Sequence, residues 1–288
     1  MCRFRGTSVW RGIWPLLIDE FSYASEAHSL PRQLAIRAVE LISGQPYLKR
    51  LYRAYQAENL PHTHFWQEII GRLDLTVELS GADIAEMPKS GPLVVVANHP
   101  FGVLDGIVIC WLVSQIRTDF KILINSVLCR APEMAAHVLP VDFDETPEAL
   151  QTNLTSRKQA KEHLDAGGAL IVFPSGAIST TPRFFARQAE EIAWAPLVGQ
   201  LIRKTRAQVL PIYFEGQNSL LFQMASHVSY AMRAALIFHE VRRRVGSRFR
   251  GVIGAPLTYE SLETHLPPKN LAQYLQVHVE ALRQNLQH

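Results

Sequence analysis

One histidine stands just beyond a run of five apolar residues, with a carboxylate six positions further on. The segment reads Leu93-Val-Val-Val-Ala-Asn98-His99-Pro100-Phe101-Gly102-Val103-Leu104-Asp105-Gly106. Histidine is the side chain whose ordinary pKa lies near neutrality, so His99 can take and return a proton at pH 7. Such a base works better when a carboxylate fixes its tautomer and stabilises the imidazolium, and Asp105 is the local candidate. On a regular helix, residues six apart lie on different faces. The two side chains can meet only if Pro100-Phe101-Gly102 makes a turn. Pro100 lacks a backbone N–H and Gly102 tolerates positive φ, so a turn suits this tripeptide. The same residues also suit a capping Asn98, a structural His99 and a helix-terminal Asp105.

Two more segments place polar residues directly after apolar runs. They are Ala169-Leu-Ile-Val-Phe173-Pro174-Ser175-Gly176 and Val209-Leu-Pro211-Ile-Tyr-Phe-Glu215-Gly216. In α/β sheets, ligands gather outside the carboxyl ends of the strands, so all three segments are site candidates.

The surrounding elements read as two parts. Residues 1–85 are expected to be helical. Stretches of apolar period follow Pro31 and Pro46, and a third runs from about His64 to Leu73. Basic residues and tryptophans near the start (Arg3, Arg5, Trp10, Arg11, Trp14) suit an anionic membrane surface. Arg242, Arg243, Arg244, Arg248 and Arg250 form a second basic cluster, which also suits a solvated face. From residue 86 to 288, short apolar runs alternate with helical stretches. The runs are Leu93–Ala97, Phe120–Ile124, Val138–Val141, Ala169–Phe173, Val209–Phe214 and Gly251–Ala255. This pattern predicts an α/β fold, a mostly parallel mixed sheet flanked by helices behind the helical N-terminal segment. The helix between Pro147 and Gly167 is expected to bury Leu150, Leu154 and Leu164.

Composition narrows the function. Of 288 residues, 48% are hydrophobic, and the net charge is only +3. A disordered chain is excluded, and nothing favours nucleic acid as a partner. Three cysteines make no disulfide scaffold. No run of eighteen apolar residues predicts a membrane span, and Asp19 and Glu20 interrupt anything like a signal peptide. His62 and His64 lack a third ligand for a metal.

The three blocks together resemble the glycerolipid acyltransferase superfamily, the family of the bacterial 1-acylglycerol-3-phosphate acyltransferases. Asn98-His99 through Asp105, Phe173-Pro174-Ser175-Gly176 and Val209-Leu210-Pro211 occur in its order and separation. The His-Pro-Phe-Gly opening and the Glu215-Gly216-Gln217-Asn218-Ser219 tail are similar to the branch of hemolysin-like proteins and lyso-ornithine-lipid acyltransferases. The likeness covers about residues 85–225.

The resemblance implies transfer of a fatty acyl group from acyl-CoA or acyl carrier protein to a lysolipid hydroxyl. It implies His99 as general base and Asp105 as its orienting carboxylate. The tetrahedral oxyanion needs donors, and backbone N–H groups near a helix N-terminus are the simplest supply. Asn98, Gly102, Phe173, Pro174, Ser175 and Gly176 would line the acceptor site. Lys121, Arg130, Arg157 and Lys158 are candidates to hold a phosphate. No metal or bound cofactor is implied. The implied partners are the lysolipid, the acyl thioester and a membrane surface, with acyl carrier protein as one possible donor; the implied location is the cytoplasmic face of a membrane, as a peripheral protein.

Two departures stand out. Five residues separate His99 from Asp105 where the family usually has four, a longer form also found in the hemolysin-like branch. Ser175 occupies a position where the family usually has Glu. A hydroxyl is a weaker acceptor than a carboxylate, so glycerol 3-phosphate-type acceptors are disfavoured. Two other readings compete. A serine hydrolase would use Ser175 as nucleophile, although the nucleophile elbow needs glycine where Phe173 stands. A non-catalytic lipid-binding protein on the same fold would explain the missing Glu and the longer spacing.

Overall fold

The computed structural model describes residues 44–58, 60–61, 64–125 and 132–286. The expected first helix after Pro31, the N-terminal Arg/Trp segment, His62, Cys129 and Arg130 lie outside the described residues. Two helices come first, α1 (Gln45–Ala57) and α2 (Phe65–Arg72). Strand β1 (Thr76–Gly81) follows, then β2 (Leu93–Ala97), α3 (Val103–Ser114), β3 (Phe120–Asn125), β4 (Val138–Val141), α4 (Pro147–Asp165) and β5 (Ala169–Val172). The chain continues through α5 (Leu197–Thr205), β6 (Gln208–Phe214), α6 (Leu220–Val228), α7 (Tyr230–Arg243) and β7 (Arg248–Ile253). It ends in a single turn, α8 (Tyr259–Leu262), and α9 (Pro268–Ala281).

The strands form one seven-stranded sheet in the order β1-β7-β6-β2-β5-β3-β4. All neighbours are parallel except β6 and β7, which pair antiparallel. β2 is central, with Val96 opposite Val172 of β5 and Ala97 opposite Ile212 of β6. Its run is apolar throughout because both faces are covered. Leu93, Val95 and Ala97 join the core under α2 and α3, while Val94 and Val96 join the core under α4, α5 and α9. A strand buried on both sides has no polar face to alternate with.

The element that follows β2 packs on one face and the element that follows β5 packs on the other, as the core memberships of α3 and α5 record. Adjacent strands whose connections leave on opposite faces open a crevice at their carboxyl ends. The first and second polar segments both emerge there.

Two local expectations are corrected. Residues 76–81 are not helical. They form β1, which pairs with β7 along its full length, so the sheet begins before residue 86. Strand β1 is half exposed, and its sequence Thr-Val-Glu-Leu-Ser-Gly carries too short an alternation to stand out. In α4 the buried arc is Ala149, Ser156, Ala160 and Leu164, whereas Leu150 and Leu154 are exposed. The small residues face the sheet because Ser156 donates to the carbonyl of Pro140 at 2.6 Å, bringing the helix close to β4.

Candidate active site

His99 sits two residues beyond the end of β2, on the wall of a cavity of about 770 Å³. Pro100-Phe101-Gly102 then turns the chain, with Gly102 at φ 81°, a conformation that suits glycine. A Cβ on Gly102 would also come within 2.6 Å of Ile178. The turn brings Asp105, in the first turn of α3, back beneath His99.

One carboxylate oxygen organises the turn. Asp105 Oδ2 accepts from the backbone N–H of Phe101 at 2.8 Å and of Gly102 at 2.9 Å. The same oxygen lies 3.0 Å from His99 Nδ1. The ring N–H is not aligned on it for a hydrogen bond, and among the described residues neither Nδ1 nor Asp105 Oδ1 has a hydrogen-bonded partner. Loose alignment is usual in catalytic pairs before substrate arrives. Asp105 is fully buried and the His99 side chain keeps 17% of its exposure. The acid therefore stays out of solvent while the imidazole reaches the cavity. With Nδ1 turned to Asp105, Nε2 is the nitrogen left for chemistry.

Packing holds the ring in place. His99 stacks on Phe173, the centroids 4.1 Å apart with planes inclined by 23°. The carbonyl of His99 accepts from the backbone N–H of Ser179 at 2.8 Å. Phe101, buried below the turn, packs edge-on against Phe249, and the Arg244 guanidinium lies 3.6 Å over its ring. Burial pushes the Arg244 pKa below its ordinary value, while the Asp105 charge acts to raise it.

The cavity extends from this pair between α1, α2, α3 and α7, with Leu48, Tyr55, Ile107, Cys110 and Phe238 on its walls. On the other side it reaches Ala195, Leu197 and Val198. It thus spans the crevice between the two connections. Its size is that of a site that buries a small-molecule ligand.

Of the residues expected to bind substrate, Gly102, Phe173, Pro174, Ser175 and Gly176 line the cavity together with His99. Asn98 does not. Its amide is buried and bonded at both ends to Phe214, donating to the carbonyl at 2.8 Å and accepting from the N–H at 2.7 Å. It locks the ends of β2 and β6. Lys121 points to the carbonyl of Ala136 at 3.4 Å, and Arg157 lies on the exposed side of α4; neither lines the cavity. Among the described residues, the lysine and arginines that do line it are Lys49, Arg72 and Arg233. Arg72 pairs with Glu58 at 2.6 Å. The C-terminal arginine cluster is not a free basic face either. Arg250 pairs with Glu215 at 3.0 Å, Arg248 with Glu78 at 3.6 Å, and Arg242 lies over the Tyr47 ring.

The Ser175 hydroxyl donates to the carbonyl of Ala177 at 3.0 Å, and among the described residues no hydrogen bond links it to His99. The geometry of a Ser-His nucleophile is not formed. Behind Ser175 lies a group that the sequence did not single out. Among the described residues, both carboxyl oxygens of Glu191 are buried without a hydrogen-bond partner, as is Trp194 Nε1. Burial pushes the Glu191 pKa up to about 8; the neighbouring Ser175 and Trp194 pull it down, and Glu280 and Asp105 add to the rise. Glu191 lies in Gln188-Ala-Glu-Glu-Ile, a polar stretch with no period to mark a buried position.

Phe101 and Gly102 stand before the N-terminus of α3, but both N–H groups are already engaged by Asp105. An oxyanion at His99 must draw on other donors.

The family model described as "Acyltransferase" matches residues 24–285. A lyso-glycine lipid O-acyltransferase of Phocaeicola vulgatus is 24% identical over 230 residues, covering 76% of this chain and 77% of the relative. The protein of the same name from Bacteroides thetaiotaomicron is 25% identical over 218 residues, covering 70% and 74%. In three dimensions the chain is similar to the crystal structure of PlsC, the 1-acyl-sn-glycerophosphate acyltransferase of Thermotoga maritima. The TM-score is 0.51 and the identity 16%, with 89% of this chain and all of that one covered, which supports the fold. The chain belongs to the acyltransferase family, within the glycerolipid and lysolipid acyltransferase superfamily, and is an enzyme that acts on lipids.

Proposed function

We propose that this acyltransferase moves a fatty acyl group from acyl-CoA or acyl carrier protein to the hydroxyl of a lysolipid, at the cytoplasmic face of a membrane. The observation that carries the reading is the His99–Asp105 pair, 3.0 Å apart, on the wall of a largely apolar cavity of about 770 Å³.

The steps follow from the geometry. The Asp105 carboxylate beside Nδ1 favours a proton on that nitrogen, which leaves Nε2 as the basic one. Nε2 takes the proton of the acceptor hydroxyl as its oxygen attacks the thioester carbonyl. A C–O bond forms and the carbonyl oxygen becomes an oxyanion. Its collapse breaks the C–S bond. The thiolate leaves and takes the proton from the imidazolium, which restores His99. Asp105 stabilises the imidazolium between these transfers, the role a carboxylate plays in triads. No acyl-enzyme forms.

The acceptor is best matched by a lysolipid with an amino-acid headgroup. The relatives named as lyso-glycine lipid O-acyltransferases support this class. The expected phosphate ligands Lys121 and Arg157 lie outside the cavity. Among the described residues no helix is long and apolar enough to cross a membrane, which is compatible with peripheral attachment.

The test is thiol release from a long-chain acyl thioester, with a lyso-amino-acid lipid and with lysophosphatidic acid as acceptors. Turnover with the first and a loss of about 10³-fold in His99→Ala are expected, in line with removal of a triad-type base. A His99→Ala protein that keeps most of its rate would overturn the site assignment. Preference for lysophosphatidic acid would overturn the acceptor class.

A further inference from the structure

Helix α6 has two apolar sides. Phe222 and Ala225 face inward and pack with Ala234–Phe238 of α7. The outer side carries Leu220 (63% exposed), Leu221 (53%), Met224 (38%) and Val228 (65%). At about 100° per residue these four fall within an arc of about 100°. A helix apolar on its solvent side is unusual, and such patches mark interaction surfaces.

The patch continues onto a neighbouring loop. Thr181 is tied to α6 twice. Its N–H donates to Gln223 Oε1 at 3.0 Å, and its hydroxyl lies 2.9 Å from His227 Nε2. This places Phe184 5.8 Å from the His227 ring and in edge contact with Phe185, which is 91% exposed. Met232, at the start of α7, extends the exposed surface beyond Val228. The next two residues, Arg233 and Ala234, line the catalytic cavity. Patch and cavity therefore meet at the α6–α7 junction.

Charge decides what covers this surface. Residues 216–232 contain no Asp, Glu, Lys or Arg. The flanking Arg183 and Arg187 are exposed beside the two phenylalanines. Aliphatic and aromatic tips flanked by Arg183 and Arg187 fit the boundary of an anionic bilayer, where apolar side chains enter the acyl region and arginines reach headgroups.

We propose that the outer side of α6, with Phe184 and Phe185, is the surface by which the enzyme lies on an anionic membrane, beside the cavity that takes its lipid substrate. The inference rests on the lysolipid acyltransferase reading and names the surface where enzyme and substrate meet.

The test uses the full chain and sedimentation with vesicles of equimolar phosphatidylcholine and phosphatidylglycerol. The double variant Leu221→Glu/Met224→Glu is expected to lower vesicle binding at least about tenfold, since two exposed apolar side chains that would enter the bilayer are replaced by anions. Val277→Glu alters an equally exposed valine on α9 and should bind as the parent does. Equal binding by all three proteins would overturn the proposal. So would a parent dimer in sedimentation velocity that the double variant breaks, because the patch would then face a second copy.

Phe185→Trp keeps an apolar ring at an open position and guards against misfolding of the double variant. Its added emission should be quenched by vesicles of brominated lipid, and unquenched emission would refute insertion. Turnover on a short-chain, freely soluble acceptor separates the two levels of the argument. The double variant should retain the parent's rate there. Absence of turnover in the parent on any acceptor would refute the acyltransferase reading itself, whatever the vesicles show.

Discussion

Asp105 makes two sets of contacts through a single oxygen, and two substitutions pull the proposed consequences apart. Oδ2 accepts from the N–H groups of Phe101 and Gly102 and faces His99 Nδ1. Asp105→Ala leaves both backbone donors buried without an acceptor. Each orphaned donor costs roughly 1–3 kcal/mol, so the fold should lose roughly 2–6 kcal/mol. That is a large share of the roughly 5–15 kcal/mol that holds a typical domain together. Asp105→Asn retains an oxygen for the two N–H groups but places an amide nitrogen where Oδ1 now has no partner. Its stability cost should be one buried donor, about 1–3 kcal/mol. The charge opposite the imidazolium is gone in both variants. Asp→Asn in a Ser-His-Asp triad lowers kcat by about 10⁴. Here a fall of about 10²–10⁴ is expected, because the carboxylate and ring are not fully aligned. Urea denaturation would report the first effect and thioester consumption by the folded variant the second. An Asp105→Asn enzyme within about tenfold of the parent would refute the orienting role. An Asp105→Ala protein as stable as the parent would refute the capping role.

Further outcomes follow from single residues. Glu191 is neutral in the fold up to about pH 8, above the ordinary carboxyl value of 4.5. The folded state then binds the extra proton more tightly, so the associated stability is present at low pH and is lost as pH rises from about 4.5 through about 8. The full effect is on the order of 5 kcal/mol. Denaturation midpoints of Glu191→Gln should match the parent at low pH and exceed it at about pH 9; parallel pH curves would contradict the burial argument. Gly102→Ala meets both the positive φ and the close approach of Ile178, at roughly 1–2 kcal/mol for the backbone alone. It should lower kcat more than its midpoint loss explains, because it moves the N–H that holds Asp105. Gly106 lines the cavity and has open space where a side chain would go. Gly106→Leu should raise the KM for long acyl chains while sparing short ones, as competition between thioesters of different length would show.

Much of the fold was legible because burial on both faces writes a continuous apolar run into a parallel strand. β2, β5 and β6 are visible for that reason. β1 is not, since an edge strand half open to solvent has no such run. The α4 stripe was misread because leucines were expected to outrank alanine and serine. In a helix pressed close to a strand, small residues fit where leucine cannot, and this depends on the partner surface.

At the site, His99, Asp105 and the Phe173–Gly176 segment declared themselves through residue type and position after buried strands. Sequence also set the requirement for a turn, since proline and glycine between them permit one. Whether the turn closes depends on backbone donors that converge on Oδ2, and convergence is a property of three-dimensional packing. Asn98 shows the other side of this. Its type and position suited a substrate contact, but both ends of its amide meet the backbone of Phe214, 116 residues away. Lys121 and Arg157 likewise lie away from the cavity, and Glu191 carries no mark in the sequence, because charge and burial are decided by neighbours distant in the chain. The sequence by itself determined which groups could exchange a proton and which strands would carry them. Only the tertiary structure decided which of those groups share a cavity, because electrostatic and hydrogen-bonding partners are chosen by distance through space.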